Sequence, residues 1–253
     1  MKLGLIALFA LTALLYASVG FGGGSTYTAL LVLVGTDFLI LPIIALTCNI
    51  VVVTGGCWRF HREGVLRARA LTPFLITSIP AAWFGGRLPV SETVFIGLLG
   101  GALLFAGIRM LFVQSSMAVS QEPHSLSPIV AGLIGASLGG LAGIVGIGGG
   151  IFLAPILYAI RWGTEREIAG ACSLFILLNS LSGLVGQLQK LGQAGTLDLL
   201  IPYLPLVAAV LIGGQIGSWL GAKRLNPHWI KRLTAILILY VAARLLLRFA
   251  SLI

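Results

Sequence analysis

Gly20-Phe21-Gly22-Gly23-Gly24-Ser25-Thr26 interrupts an apolar run near the start of the chain, and Gly146-Ile147-Gly148-Gly149-Gly150-Ile151-Phe152 interrupts another in the second half. Glycine lets a backbone leave the helix where a side chain would clash, and it costs helix stability wherever it stands. Three in a row between apolar segments therefore mark a break. Two such breaks at matching places predict a chain built by duplication, with a helix interrupted at membrane depth in each half.

The composition sets the solvent. Of 253 residues, 58% are hydrophobic and 9% charged, whereas a soluble domain carries roughly 25% charged residues. Apolar runs of about 17 to 25 residues follow one another across short polar gaps, the length that a hydrocarbon core of about 30 Å demands. An all-α, polytopic membrane protein is expected, multi-pass in the plasma membrane with the bilayer as its partner. The net charge of +9 comes from basic residues lying in the gaps. That pattern describes topology and argues against nucleic acid as a partner. Cys48, Cys57 and Cys172 lie in or beside apolar segments with no metal-ligand spacing, so neither a metal nor a cofactor is expected. Residues 1–20 resemble a signal peptide, yet an equivalent run precedes the second glycine break, so they are expected to belong to the fold.

The first unit, Leu3 to Val34, would be about 48 Å long as one helix. A glycine-broken hairpin or a tilted broken helix is expected there. Segments follow from Leu41 to Trp58, from Ala70 to Gly86 with a kink expected at Pro73 and Pro80, and from Val94 to Val113. Residues 114–128 are polar and punctuated by proline, which predicts a linker. The order then repeats: Ile129 to Ile144, the glycines, Ile151 to Ile160, Ile168 to Leu188, Leu200 to Leu220, and Leu233 to the end. The expected division is a first transmembrane repeat over 1–113 and a second over 129–253, each a hairpin plus three transmembrane helices. Gly22 and Gly148 are 126 positions apart, Cys48 and Cys172 are 124 apart, and Trp83 and Trp219 are 136 apart.

The loop holding Arg59, Arg62, Arg67 and Arg69 is expected in the cytoplasm. An odd number of crossings per half would invert the second half. Arg161, Arg166, Lys223, Arg224, Lys231 and Arg232 would then join that loop, giving ten basic residues on one side. Inverted repeats are therefore expected. The five tryptophans stand at segment ends, where an aromatic belt places them.

A helix that begins inside the membrane exposes unsatisfied N–H groups and the positive end of its dipole. Ser25 and Ile151 begin two such half-helices, and Gly22, Gly23, Gly24, Gly148, Gly149 and Gly150 leave the backbone open to a ligand. Two of these ends facing one another would attract an anion. No Lys or Arg lies mid-segment, so backbone dipoles and neutral groups must hold it: Ser25, Thr26, Cys48, Asn49, Cys172, Ser173 and Asn179. The competing reading for the hydroxyls and amides is a helix–helix hydrogen bond, and for the glycines close helix packing. All seven acidic residues and all three histidines lie in gaps or at segment ends. No buried carboxylate offers a proton relay, and a buried catalytic triad is excluded. The protein is not expected to be an enzyme.

The doubled Gly-x-Gly-Gly-Gly break, the Ala-x-x-Cys of Ala45 to Cys48 and Ala169 to Cys172, the basic loop, and the Trp-x-Gly of Trp83 to Gly85 and Trp219 to Gly221 resemble the TauE/SafE family of sulfite and organosulfonate permeases. The resemblance spans essentially the whole chain. It implies a transporter for small sulfur-containing anions such as sulfite, sulfoacetate or thiosulfate, in either direction, and leaves a homo-oligomer possible. Ile151-Phe152 stands where the first half has Ser25-Thr26, so the expected site is asymmetric. Three alternatives remain at this level: an anion channel, a sulfur-relay protein using Cys48 and Cys172, and a purely structural membrane protein.

Overall fold

The computed structural model describes residues 3–18, 20–112, 126–194, 197–221 and 227–251. Ten α-helices follow one another among them: α1 Leu3–Ser18, α2 Gly24–Leu33, α3 Leu41–Arg62, α4 Ala68–Arg87, α5 Glu92–Phe112, α6 Pro128–Val145, α7 Gly150–Ala159, α8 Glu165–Ala194, α9 Leu204–Gly221 and α10 Pro227–Ser251. A 3₁₀ turn over Leu197–Tyr203 leads into α9. No strand occurs among the described residues. Most of the expected linker lies outside them, as do Lys223 and Arg224.

Both glycine breaks are tips of hairpins. The rings of Phe9 in α1 and Tyr27 in α2 stack with centroids 4.8 Å apart, whereas 18 positions of continuous helix would separate them by about 27 Å. The tilted broken helix is thereby excluded. In the second hairpin a Cβ on Gly149 would lie 3.3 Å from Cβ of Ala142, back along α6. Gly23 and Gly149 occupy the N-cap positions of α2 and α7 with φ of 86° and 80°. That left-handed conformation is open to glycine at no steric cost.

Among the described residues, five helical stretches are long and apolar enough to cross a membrane: Leu41–Arg62, Glu92–Arg109, Pro128–Val145, Glu165–Gly192 and Asp198–Trp219. Helices α1, α2 and α7 are apolar but shorter. Leu133, Ile212 and Leu247 are among the large apolar side chains left on the outer surface, as expected of a protein whose solvent is lipid.

The packing is crosswise. Helix α4 lies against α6 and α8, α9 lies against α1 and α3, α3 against α8, and α5 against α10. Along the α3/α8 contact Gly170 meets Phe60, Gly56 meets Ser173 and Gly183 meets Leu46, so these helices run antiparallel. Helices α5 and α10 do the same, with Gly97 at Phe249, Gly100 at Leu246 and Gly107 at Leu239. An ion pair of 2.7 Å between Glu92 and Arg248 closes that pair at one end.

Close approach is bought with glycine at two seams. Gly135, Gly139 and Gly143 of α6 face the carbonyls of Phe74, Ser78 and Ala82 in α4, and Gly213 and Gly217 of α9 face those of Ala10 and Leu14 in α1. This is small-residue packing of the kind that drives helix association in lipid, with backbone near enough for Cα–H···O contacts.

Several expectations change. Helix α3 runs four residues past Trp58, carrying Arg59 and Arg62 into its last turn. Trp162 is buried rather than set in an aromatic belt: the Arg67 guanidinium lies over its ring at 5.4 Å. Arg67 also reaches Glu167 and Arg166 reaches Glu63, each at 3.6 Å. These pairs place the α3–α4 and α7–α8 loops at the same end of the molecule.

Candidate functional site

The site grows from the two hairpin tips. At the first, the amides of Thr26 and Tyr27 both return to the Gly23 carbonyl. At the second, those of Phe152 and Leu153 return to the Gly149 carbonyl. The preceding amides, Gly22 to Ser25 and Gly148 to Ile151, find no acceptor among the described residues. Neither N-cap has a side-chain partner. All of these residues are buried except Ile151, which is half-buried. Each buried N–H without an acceptor carries a cost in hydrocarbon that a bound anion would offset, and each helix sets the positive end of its dipole at its own tip.

Asn49 joins the tips. Its Nδ2 donates to the Ile147 carbonyl at 3.1 Å, and a Cβ on Gly148 would sit 3.0 Å from that nitrogen. The same carboxamide would be struck by a Cβ on Gly22 or Gly24. One fully buried asparagine of α3 is therefore wedged between glycines of both hairpins. Ser173 of α8 makes the reciprocal contact, its Oγ donating to the Gly20 carbonyl at 2.5 Å. Asn49 and Ser173 are 124 positions apart, the spacing that relates the two cysteines. Each hairpin tip is thus fastened by a helix from the other half of the chain.

The remaining candidates are placed differently. Ser25 and Thr26 are buried and turn toward α1, where Tyr16 Oη lies 3.4 Å from Ser25 and 2.8 Å from Thr26. They brace the first hairpin. Asn179 donates to the Phe175 carbonyl of its own helix at 2.8 Å, leaving its buried Oδ1 without a partner.

The family model described as sulfite exporter TauE/SafE matches residues 5–245. The chain belongs to the TauE/SafE family. Relatives of this family member include a probable membrane transporter protein y4hK of Sinorhizobium fredii, 33% identical over 248 residues that cover 96% of this chain and 98% of that protein. A probable membrane transporter protein of Haemophilus influenzae is 27% identical and covers 92% of this chain and 91% of its own length. One from Methanocaldococcus jannaschii is 28% identical over 60% of each chain. No solved structure matches. The chain is accordingly a multi-pass membrane transporter.

The two thiols of this TauE/SafE chain do not share an environment. Cys48 packs in an apolar cluster with Tyr27, Ile44 and Val52, while Cys172 packs in another with Leu153, Leu157 and Phe175. Both are buried and free. The double variant Cys48→Ala/Cys172→Ala is expected to carry substrate within about twofold of the parent and to lose about 1 kcal/mol of stability per site from lost packing. Flux and thermal unfolding of the purified variant check this. A loss of flux with unchanged stability would restore the sulfur-relay reading.

Two residues of the region escape notice in the sequence. A Cβ on Gly148 would lie 2.8 Å from the Ser180 hydroxyl, which has no partner. Gln187 donates to the Gly143 carbonyl at 2.7 Å, on the α6 turn before the second tip. With Ser173 they recur every seven residues along α8, a spacing that keeps one helix face toward its neighbour. That stripe is readable in hindsight.

Proposed function

We propose that this transporter moves a small sulfur-containing anion, sulfite or an organosulfonate of the sulfoacetate type, across the plasma membrane by alternating access around the two glycine tips. In this reading Gly22, Gly23 and Gly24 with Ser25, and Gly148, Gly149 and Gly150 with Ile151, present backbone N–H groups to the anion. Asn49 and Ser173 hold the tips together. Ser25, Thr26, Asn179, Cys48 and Cys172 support the surrounding helices.

One observation carries it: two buried rows of amide donors without acceptors, each at the positive end of a helix dipole, meet the same asparagine through Gly22, Gly24 and Gly148. A sulfonate or sulfite offers three acceptor oxygens to such a cradle. The moving parts are two repeats, 1–113 and 129–253, inverted relative to one another about the 114–128 segment. The antiparallel course of α3 against α8 and of α5 against α10 supports the inversion. So does the α7–α8 loop meeting the α3–α4 loop, because in parallel halves it would lie at the far end of α3. Rocking of such halves about a fixed site is the common mode of inverted-repeat transporters.

Uptake of labelled sulfite and of sulfoacetate into proteoliposomes tests the reading, with and without imposed proton and sodium gradients. Saturable flux that the other anion inhibits is expected. Absence of flux for both anions would reject the substrate class, and large unitary currents would replace the carrier with a channel.

A further inference from the structure

Within that reading, we propose that Asn49 reads the protonation state of the substrate: its carboxamide oxygen accepts a hydrogen bond from an acidic O–H, so the site prefers a hydroxyl-bearing monoanion such as hydrogen sulfite over the sulfite dianion or a sulfonate.

A carboxamide has distinct ends, two N–H donors on nitrogen and an acceptor on oxygen. Which end faces where is set here by the Ile147 carbonyl, which can only accept and so takes Nδ2 at 3.1 Å. Oδ1 is left on the side of Gly22, where it is the atom nearest to a Cβ added at that glycine. The side chain is 0% exposed, and Oδ1 has no hydrogen-bond partner. It sits beside the row of free amides of the first tip. The cradle is therefore mixed, many donors and one fixed acceptor.

The fixed acceptor decides between anions that the donors treat alike. An oxyanion with only deprotonated oxygens meets the amides well but sets a lone pair against the lone pairs of Oδ1. An oxyanion with one O–H satisfies the amides with its other oxygens and donates a hydrogen bond from its O–H to Oδ1. A site whose buried polar group is left unpaired by an analogue discriminates strongly against that analogue. The unpartnered hydroxyls of Ser180 and Tyr27, which lie beside Gly148 and Gly23, carry no such information, because a hydroxyl turns to donate or accept.

The test is counterflow of labelled sulfite in proteoliposomes at equal pH on both sides, between about pH 6 and about pH 8.5, with methanesulfonate as the analogue that carries no head-group proton in this range. Hydrogen sulfite and sulfite interconvert near neutrality. At fixed, subsaturating total sulfite the flux is expected to follow the hydrogen sulfite fraction and to fall about tenfold per pH unit on the alkaline side, while methanesulfonate inhibits weakly and equally throughout. Asn49→Leu is expected to flatten that profile and to lower the preference for sulfite over methanesulfonate about tenfold or more. Ser173→Ala, which loosens a tip without touching the acceptor, is expected to slow both anions alike and keep the profile. Sulfite flux that is flat or rises with pH in the parent protein overturns the proposal, as does an Asn49→Leu variant with the parent profile. If that variant does not fold, the parent profile and the methanesulfonate inhibition decide. A parent protein that moves neither anion fails the substrate reading above and this proposal together, whereas equal flux of both at every pH fails this proposal alone.

Discussion

Leucine at position 149 is expected to lower anion flux by at least about hundredfold. Gly149 caps α7 with φ of 80°, where an L-residue pays about 1–2 kcal/mol. Its Cβ would stand 2.9 Å from Cε1 of Phe175, 3.3 Å from Cβ of Ala142 and 3.4 Å from the Leu138 carbonyl oxygen. Two helices, α6 and α8, hem in the position, so the larger side chain must push the start of α7 away from the tip. The amides of Gly148 to Ile151 then lose their common aim, and a displacement of about 1 Å in a positioned group costs on the order of hundredfold. Gly23→Leu is expected to do the same at the first tip, where φ is 86° and a Cβ would lie 2.9 Å from the Tyr27 ring. Gly149→Ala, which meets the backbone penalty with a smaller side chain, should fall between. Flux per folded molecule in proteoliposomes gives the measurement. Parent-level flux in either leucine variant would remove the glycine cradle from the mechanism.

Gly143→Val is expected to act on the fold itself. A Cβ there collides with the Ala82 carbonyl and stands 2.8 Å from the Gly86 amide nitrogen. Both are backbone atoms of α4, so no rotamer change relieves the contact. Helices α4 and α6 must separate, and Gly135 and Gly139 lose their contacts on the same seam. The expected cost is about 3 kcal/mol, at the upper end for overpacking, or about 10 °C in the unfolding midpoint. Gly140→Ala supplies the comparison from the same helix. Its Cβ would have only the Ala81 carbonyl within reach, at 3.9 Å, so it should be neutral or stabilise by up to about 1 kcal/mol through helix propensity. Equal unfolding midpoints for the two variants would show that the seam is not close-packed.

These predictions separate two uses of glycine that look alike in the sequence. Gly148 to Gly150 stand out because they are contiguous, and contiguity alone marks a break. Gly135, Gly139 and Gly143 are spaced at four residues, a pattern visible in the sequence only once the partner helix is known. The helices are legible for a similar reason. Lipid demands long apolar runs, so α4, α5 and α6 lie within two residues of their expected bounds. The ends of α3 and α8 are not, because charged residues such as Arg59, Arg62 and Glu165 continue a helix as readily as they leave it. The tip amides follow from the glycine runs, and Asn49 and Ser173 stand out as polar groups in apolar helices. Which carbonyl each one reaches does not follow, since Asn49 to Ile147 and Ser173 to Gly20 are long-range bonds between halves. Ser25 and Thr26 follow the glycines directly and so invite a binding role. Their bonds to Tyr16 depend on how the hairpin folds back, which no local pattern encodes.

The crosswise fastening of the tips also bears on how the protein is made. Gly20 and the Ser173 that secures it are separated by 153 positions. While the ribosome is delivering the first five helices, the first hairpin has entered the bilayer with its tip unsecured and its amides unpaired. It gains its fastener only when α8 follows. The second tip, by contrast, finds Asn49 of α3 already in place when it is made, so the two tips close in turn, the first of them only after most of the polypeptide has been inserted.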